Sequence, residues 1–140
     1  MCKATNLLIA LALGAMTTFS ANAWAASVPE AKPDKGLVVF YRKNLMKGKA
    51  IRFNINHPEG PLGQLLAGTM LYKYVKPGAQ TFTAQSPSID GQDSITINAE
   101  AGKVYYVKGE ILWGWPTGRT KFVEMSDSEA RADLANLNKK

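Results

Sequence analysis

The sequence predicts a mainly β protein: an antiparallel β-sandwich, or a flattened barrel, of 7–8 short strands with one C-terminal α-helix. Three observations carry this. Short β-branched and aromatic runs recur at regular spacing, with Gly/Pro turns between them. Within several runs apolar and polar residues alternate with period two, the mark of a half-buried strand. Only after Met125 does the period change to that of a helix.

The first strand is Leu37-Val-Val-Phe-Tyr-Arg42, an almost unbroken apolar run expected to be buried on both faces. Asn44 to Gly48 turns the chain. Ala50 to Asn56 alternates, with Ile51, Phe53 and Ile55 on one face and Arg52, Asn54 and Asn56 on the other. His57-Pro-Glu-Gly-Pro61 is a turn, and its histidine is read as solvated. Short strands over Leu62–Leu66 and Thr69–Val75 flank the Ala67-Gly68 turn. Lys76-Pro-Gly-Ala79 turns again, since proline presets φ and glycine accepts a positive one. Gln80–Ser86 places Phe82 and Ala84 inward, and Ser94–Asn98 places Ile95 and Ile97 on one face. Lys103 to Lys108, running on to Leu112, puts Tyr105 and Tyr106 on opposite faces. The last strand is Thr120–Met125. Ser126-Asp-Ser-Glu129 is a capping box. It opens a helix over 127–138 that presents Ala130, Leu134 and Leu137 on one side, to pack on the edge or end of the sheet.

The N-terminus reads as a secretory signal peptide over residues 1–25. Lys3 supplies the positive region and Leu7–Met16 the apolar one. Two A-x-A sites end at Ala23 and Ala25, with Ala25 preferred for cleavage. Residues 26–35 read as a flexible leader and 36–140 as a single domain. Localisation is then periplasmic or secreted, with no transmembrane span after cleavage. The only cysteine, Cys2, precedes the apolar run, so the domain must be held by burial without disulfides. The formal charge of +6 survives loss of Lys3 almost intact and favours acidic surfaces.

The ordered motifs are Tyr41-Arg42 closing the first strand, Gly68-Thr69, Pro77-Gly78 before Thr81-Phe82-Thr83, and Ala101-Gly-Lys-Val-Tyr-Tyr-Val107. With these and the acidic C-terminal helix, the chain resembles the bacterial domain of unknown function 2846 family over roughly residues 36–138. The resemblance implies a small envelope β-domain and carries no activity with it. Many members of that family resemble lipoproteins; this chain departs from them in lacking an acceptor cysteine after the apolar run.

The chemistry-bearing residues are sparse. One histidine, and no cysteine beyond the leader, leave few ligands for zinc, and no cofactor is expected. No G-x-S-x-G elbow or phosphate-cradling glycine motif occurs. Asp90 with Asp93, and Glu110 with Glu124 on adjacent strands, are the carboxylate pairs an acid–base hydrolase would use. Trp113 and Trp115, with Arg119 beside them, would either cap the open end of the sandwich or form a platform for a sugar ring, a partner protein or a membrane interface.

The preferred reading is a non-catalytic exported module of the cell envelope that binds or bridges. Its partner would be an envelope protein, a glycan or an anionic lipid surface, and not nucleic acid. The second reading is a glycan-binding module using Trp113, Trp115 and Arg119. The third is a small carboxylate-based hydrolase.

Overall fold

The computed structural model of the chain describes residues 28–87, 89, 91–114 and 118–137. The signal-peptide reading, Trp115 and Asp90 lie outside them. Eight strands form two four-stranded sheets, followed by one helix: β1 Gly36–Tyr41, β2 Phe53–His57, β3 Gly60–Leu65, β4 Met70–Val75, β5 Gly78–Gln85, β6 Gln92–Ala99, β7 Val104–Leu112, β8 Arg119–Met125 and α1 Asp127–Ala135. The sheet orders are β4-β1-β7-β8 and β3-β2-β5-β6, so the architecture is a sandwich and not a closed barrel. The edges β3 and β4 lie side by side, as do β6 and β8.

The core follows from the period-two pattern. Val38, Phe40, Phe53, Ile55, Phe82 and Val107 meet between the sheets, all fully buried. Phe40 lies at its centre, edge-on to Phe82 at 4.9 Å and tilted against Phe122 at 5.6 Å. Two seams are closed by side chains. Lys73 on β4 pairs with Glu59, between β2 and β3, at 3.3 Å. Across the other seam, Asp93 of β6 accepts from the Phe122 amide of β8 at 2.8 Å and from the Ser94 amide at 2.9 Å.

One ladder runs parallel, a departure from the all-antiparallel expectation: β1 pairs with β7 from Leu37↔Val104 to Tyr41↔Lys108, while its other edge pairs with β4 antiparallel. β1 is therefore a central strand, and all six of its residues are buried. Its odd-numbered side chains, Leu37, Val39 and Tyr41, face away from the sandwich core. They form a second cluster with Tyr106, Ala130, Leu134 and Leu137. The helix thus lies on the outer face of the first sheet and not at its edge or end. The reason is physical: a strand apolar on both faces needs a cover on each, and α1 is the apolar stripe at hand.

Ser126 caps the helix as expected, with the Glu129 carboxylate reaching back to its hydroxyl and not to its backbone amide. Ser126 Oγ accepts from the Glu129 amide and donates to Glu129 Oε2 at 2.8 Å. The helix ends at Ala135, capped by Asn136, short of residue 138. Residues 28–35, read as a flexible leader, make contacts in the structure. Val28 packs against the helix-side cluster, and Glu30 O accepts from Tyr74 Oη at 2.6 Å. Among the described residues no helix is long and apolar enough to cross a membrane.

A polar pin fixes helix to sheet. Tyr41 Oη donates to Asp133 Oδ2 at 2.7 Å, and Lys43 Nζ meets Asp133 Oδ1 at 3.3 Å. Burial first, and the Asp133 carboxylate second, push the Tyr41 phenol well above its usual range. The unfolded chain ionises its tyrosines near 10.0, so this contribution is complete below that pH and is lost as pH rises through the higher folded value. Tyr41→Phe is expected to lower stability near neutrality by about 1–2 kcal/mol. Its stability should also fall less steeply than the parent's between about pH 8 and about pH 11. Urea unfolding at both pH values tests this; a parallel fall in the two proteins would remove the assigned linkage.

Candidate functional site

The end of the sandwich where β1 and β7 both finish holds the groove of most chemical interest. Its organising residue is Arg42. The even-numbered side chains of β1 face inward, and Arg42 continues that parity one step beyond the strand. It is 4 % exposed, with its guanidinium 4.4 Å from the Phe53 ring centroid. The Arg42 head donates to three backbone carbonyls: Ile51 O, Leu65 O at 3.4 Å and Gly48 O at 3.3 Å. No carboxylate pairs with it among the described residues, and burial draws it below the usual arginine range. Gly109 leaves the room it needs: a Cβ there would sit 3.0 Å from Arg42 Cγ and 3.1 Å from the Phe53 ring. Arg42 closes the core and ties down the segment 43–52.

That segment and β7 enclose a groove of about 250 Å3. Gly109, Ile111, Leu45, Lys47 and Trp113 line it. The Lys108–Glu110 pair, 2.7 Å apart, lines it as well. Trp113 is 47 % exposed, so it is neither a core residue nor a free one. Two glycines make space for it. A Cβ on Gly48 would come within 3.0 Å of Trp113 Cζ2, and one on Gly118 within 3.3 Å of Cε3. Lys47 Nζ stands 4.5 Å from the Trp113 ring centroid.

Arg119 is exposed and lines a separate hollow with Gly91, Leu112 and Lys121. The structure does not bring Trp113 and Arg119 into one groove among the described residues. The carboxylate pairs separate as well. Glu110 lies opposite Lys121, and Glu124 opposite Val107, an odd register offset that points the two glutamates to opposite faces. Asp93, as above, holds backbone amides. Among the described residues no three His, Cys, Asp or Glu side chains gather where they would hold a metal ion.

His57 corrects the expectation of a solvated turn residue. It ends β2 pointing inward, is 9 % exposed and lies 4.9 Å from the Phe82 ring. The Glu59 amide donates to Nδ1 at 3.3 Å, so Nε2 carries the proton and donates to Gln80 Oε1 at 2.8 Å. The parity of Phe53 and Ile55, carried two residues further, was the available signal. Arg42 stood at the end of the run expected to be buried; its charge concealed only that it continues the inward series Val38, Phe40 and serves backbone carbonyls.

Residues 32–129 match the family model described as protein of unknown function DUF2846. The chain belongs to this family. The match of this DUF2846 domain begins in the segment that packs on the sheet before β1 and ends inside α1. The domain is also similar to an uncharacterized protein of Haemophilus influenzae, 24% identical over 145 residues that cover 97% of this chain and 82% of the relative. No solved structure gives a significant match.

Proposed function

We propose that the chain is a non-catalytic binding module of the bacterial cell envelope. In this reading its N-terminal leader exports it, cleavage falls near Ala23 or Ala25, and it acts in the periplasm or outside the cell. The observation that carries the binding reading is the groove beside Trp113. It joins a half-exposed indole to Lys47, Lys108 and Glu110, on strands and a segment fixed by Arg42. Rigid elements that present an aromatic face beside charged hydrogen-bonding groups suit recognition. The carboxylates that acid–base chemistry would recruit are instead engaged: Glu110 with Lys108, and Asp93 with two backbone amides. The exposed indole also favours a glycan-binding form of this reading, in which Trp113 and Trp115 stack on a sugar and Arg119 contacts it from the neighbouring hollow.

The double substitution Trp113→Ala/Trp115→Ala tests the reading. It should leave the melting temperature within a few degrees of the parent and abolish cross-linking to an envelope neighbour or retention on cell-wall glycan. Unchanged capture would remove the site. A collapse of the fold would show the rings to be core residues.

A further inference from the structure

The described residues leave six large hydrophobic side chains exposed, and five share one end of the sandwich: Leu45, Met46, Leu66, Leu112 and Trp113. Topology gathers them. β1 and β7 are parallel and point to this end, β1 stopping at Tyr41 opposite Lys108 and β7 running on to Leu112. β4 starts where β1 stops, at Tyr41↔Met70, and β3 stops where β2 starts, at Phe53↔Leu65. Met46 is 86% exposed and Leu45 60%. The sixth, Tyr72, lies apart on the edge strand β4.

Charge is uneven in the same direction. The segment 42–52 carries Arg42, Lys43, Lys47, Lys49 and Arg52 and no carboxylate. Arg42 is spent on backbone carbonyls and Lys43 on Asp133. Lys47, Lys49 and Arg52 are exposed, and no carboxylate pairs with them among the described residues. At the opposite end the connections 58–59, 76–77 and 100–103 balance Lys76 and Lys103 against Glu59 and Glu100.

Apolar tips surrounded by unpaired cations fit a surface that is negative outside and apolar just beneath. An anionic bilayer has that layering. An acidic protein offers the charge over scattered apolar groups and no continuous apolar layer, and a neutral glycan offers a stacking face without the charge. Tryptophan at the boundary agrees with the preference of indoles for the headgroup level. We propose that this end of the sandwich docks on an anionic lipid surface without spanning it. Leu45, Met46 and Trp113 enter the headgroup layer, and Lys47, Lys49 and Arg52 meet the phosphates. The proposal rests on reading this end as the binding site and names its partner.

The chain from residue 26 onward holds both sheets and the helix, and lacks the apolar run Leu7–Met16 that would itself enter lipid. It should float with vesicles of phosphatidylethanolamine and phosphatidylglycerol in equal amounts, and not with phosphatidylcholine alone. Salt at about 1 M, where the screening length is about 3 Å, should release it. Lys47→Gln/Lys49→Gln should weaken binding about fivefold per lysine, or about 25-fold together. Leu45→Ser/Met46→Ser should weaken it by about tenfold or more, with an unchanged melting temperature because both side chains are exposed. Equal flotation with phosphatidylcholine, no flotation with phosphatidylglycerol, or indifference to both double variants would overturn the proposal. If vesicles fail while a protein or glycan is captured in a manner dependent on Trp113 and Trp115, only the lipid assignment falls. If neither is bound, the binding reading falls with it.

Discussion

Arg42→Met is expected to destabilise the protein by about 3 kcal/mol and to lower Tm by on the order of 10–15 °C. Methionine keeps much of the apolar stem against Gly109 and Phe53, so the loss isolates the guanidinium. Carbonyl oxygens at Gly48, Ile51 and Leu65 lose a charged donor; Gly48 O keeps the Ile51 amide, while the other two lose the guanidinium that ties them together, Leu65 O in a buried setting. Each acceptor left bare costs about 1 kcal/mol or more. Arg42→Lys should recover little, because one ammonium cannot reproduce a planar fork that spans carbonyls from two segments. The segment 43–52 should loosen first. Amide exchange at Lys49 and Ile51, whose amides donate to Met46 O and Gly48 O, would then rise before global unfolding. A Met variant that melts with the parent would mean that the carbonyls find other donors and that Arg42 is not the plug of this end.

Leu134→Ala is the second large effect, expected at about 3 kcal/mol. Leu134 is 4% exposed and packs in the cluster with Leu37, Val39, Tyr41 and Tyr106. A helix of nine residues does not persist alone in water, so α1 stays folded only while docked. Weakening its central contact therefore exposes the outer face of β1 as a unit. The readouts are a lower urea midpoint and increased binding of a hydrophobic dye before the main transition. Leu45→Ala is the control: with Leu45 60% exposed, it should change stability by less than about 0.5 kcal/mol. Equal stabilities for the two variants would mean that the helix contributes nothing to the sheet it covers.

Most of the strand positions were legible because burial imposes period two, and the sequence obeys it at Phe53 and Ile55, at Phe82 and Ala84, and at Ile95 and Ile97. The helix start was legible because a capping box is a local motif, complete within Ser126–Glu129. Where α1 docks was also implicit: a six-residue run buried on both faces demands a second cover, but a lone amphipathic stripe does not name the face it seeks. Parallel pairing of β1 with β7 has no local signature, since it joins residues far apart in the chain. The candidate site divides in the same way. The tryptophan loop stood out by composition. The matching segment 43–52 read as a turn over Asn44–Gly48 followed by the start of a strand at Ala50, and its importance arises from register, which places Leu45 and Lys47 beside Trp113. His57 and Arg42 were obscured by chemistry: a polar side chain that continues an inward series can be buried when backbone groups or a neighbouring amide satisfy it.

The parallel ladder also sets a schedule for how the molecule comes into being. β1 is made first and holds the middle of its sheet, yet one of its two neighbours is not supplied until residues 104–112 have been made. A chain that emerges gradually, N-terminus leading, therefore carries its most water-averse strand half-satisfied for most of its length. Closure of this sheet joins distant parts of the chain, which slows it relative to the neighbouring sheet of antiparallel pairs within residues 53–99.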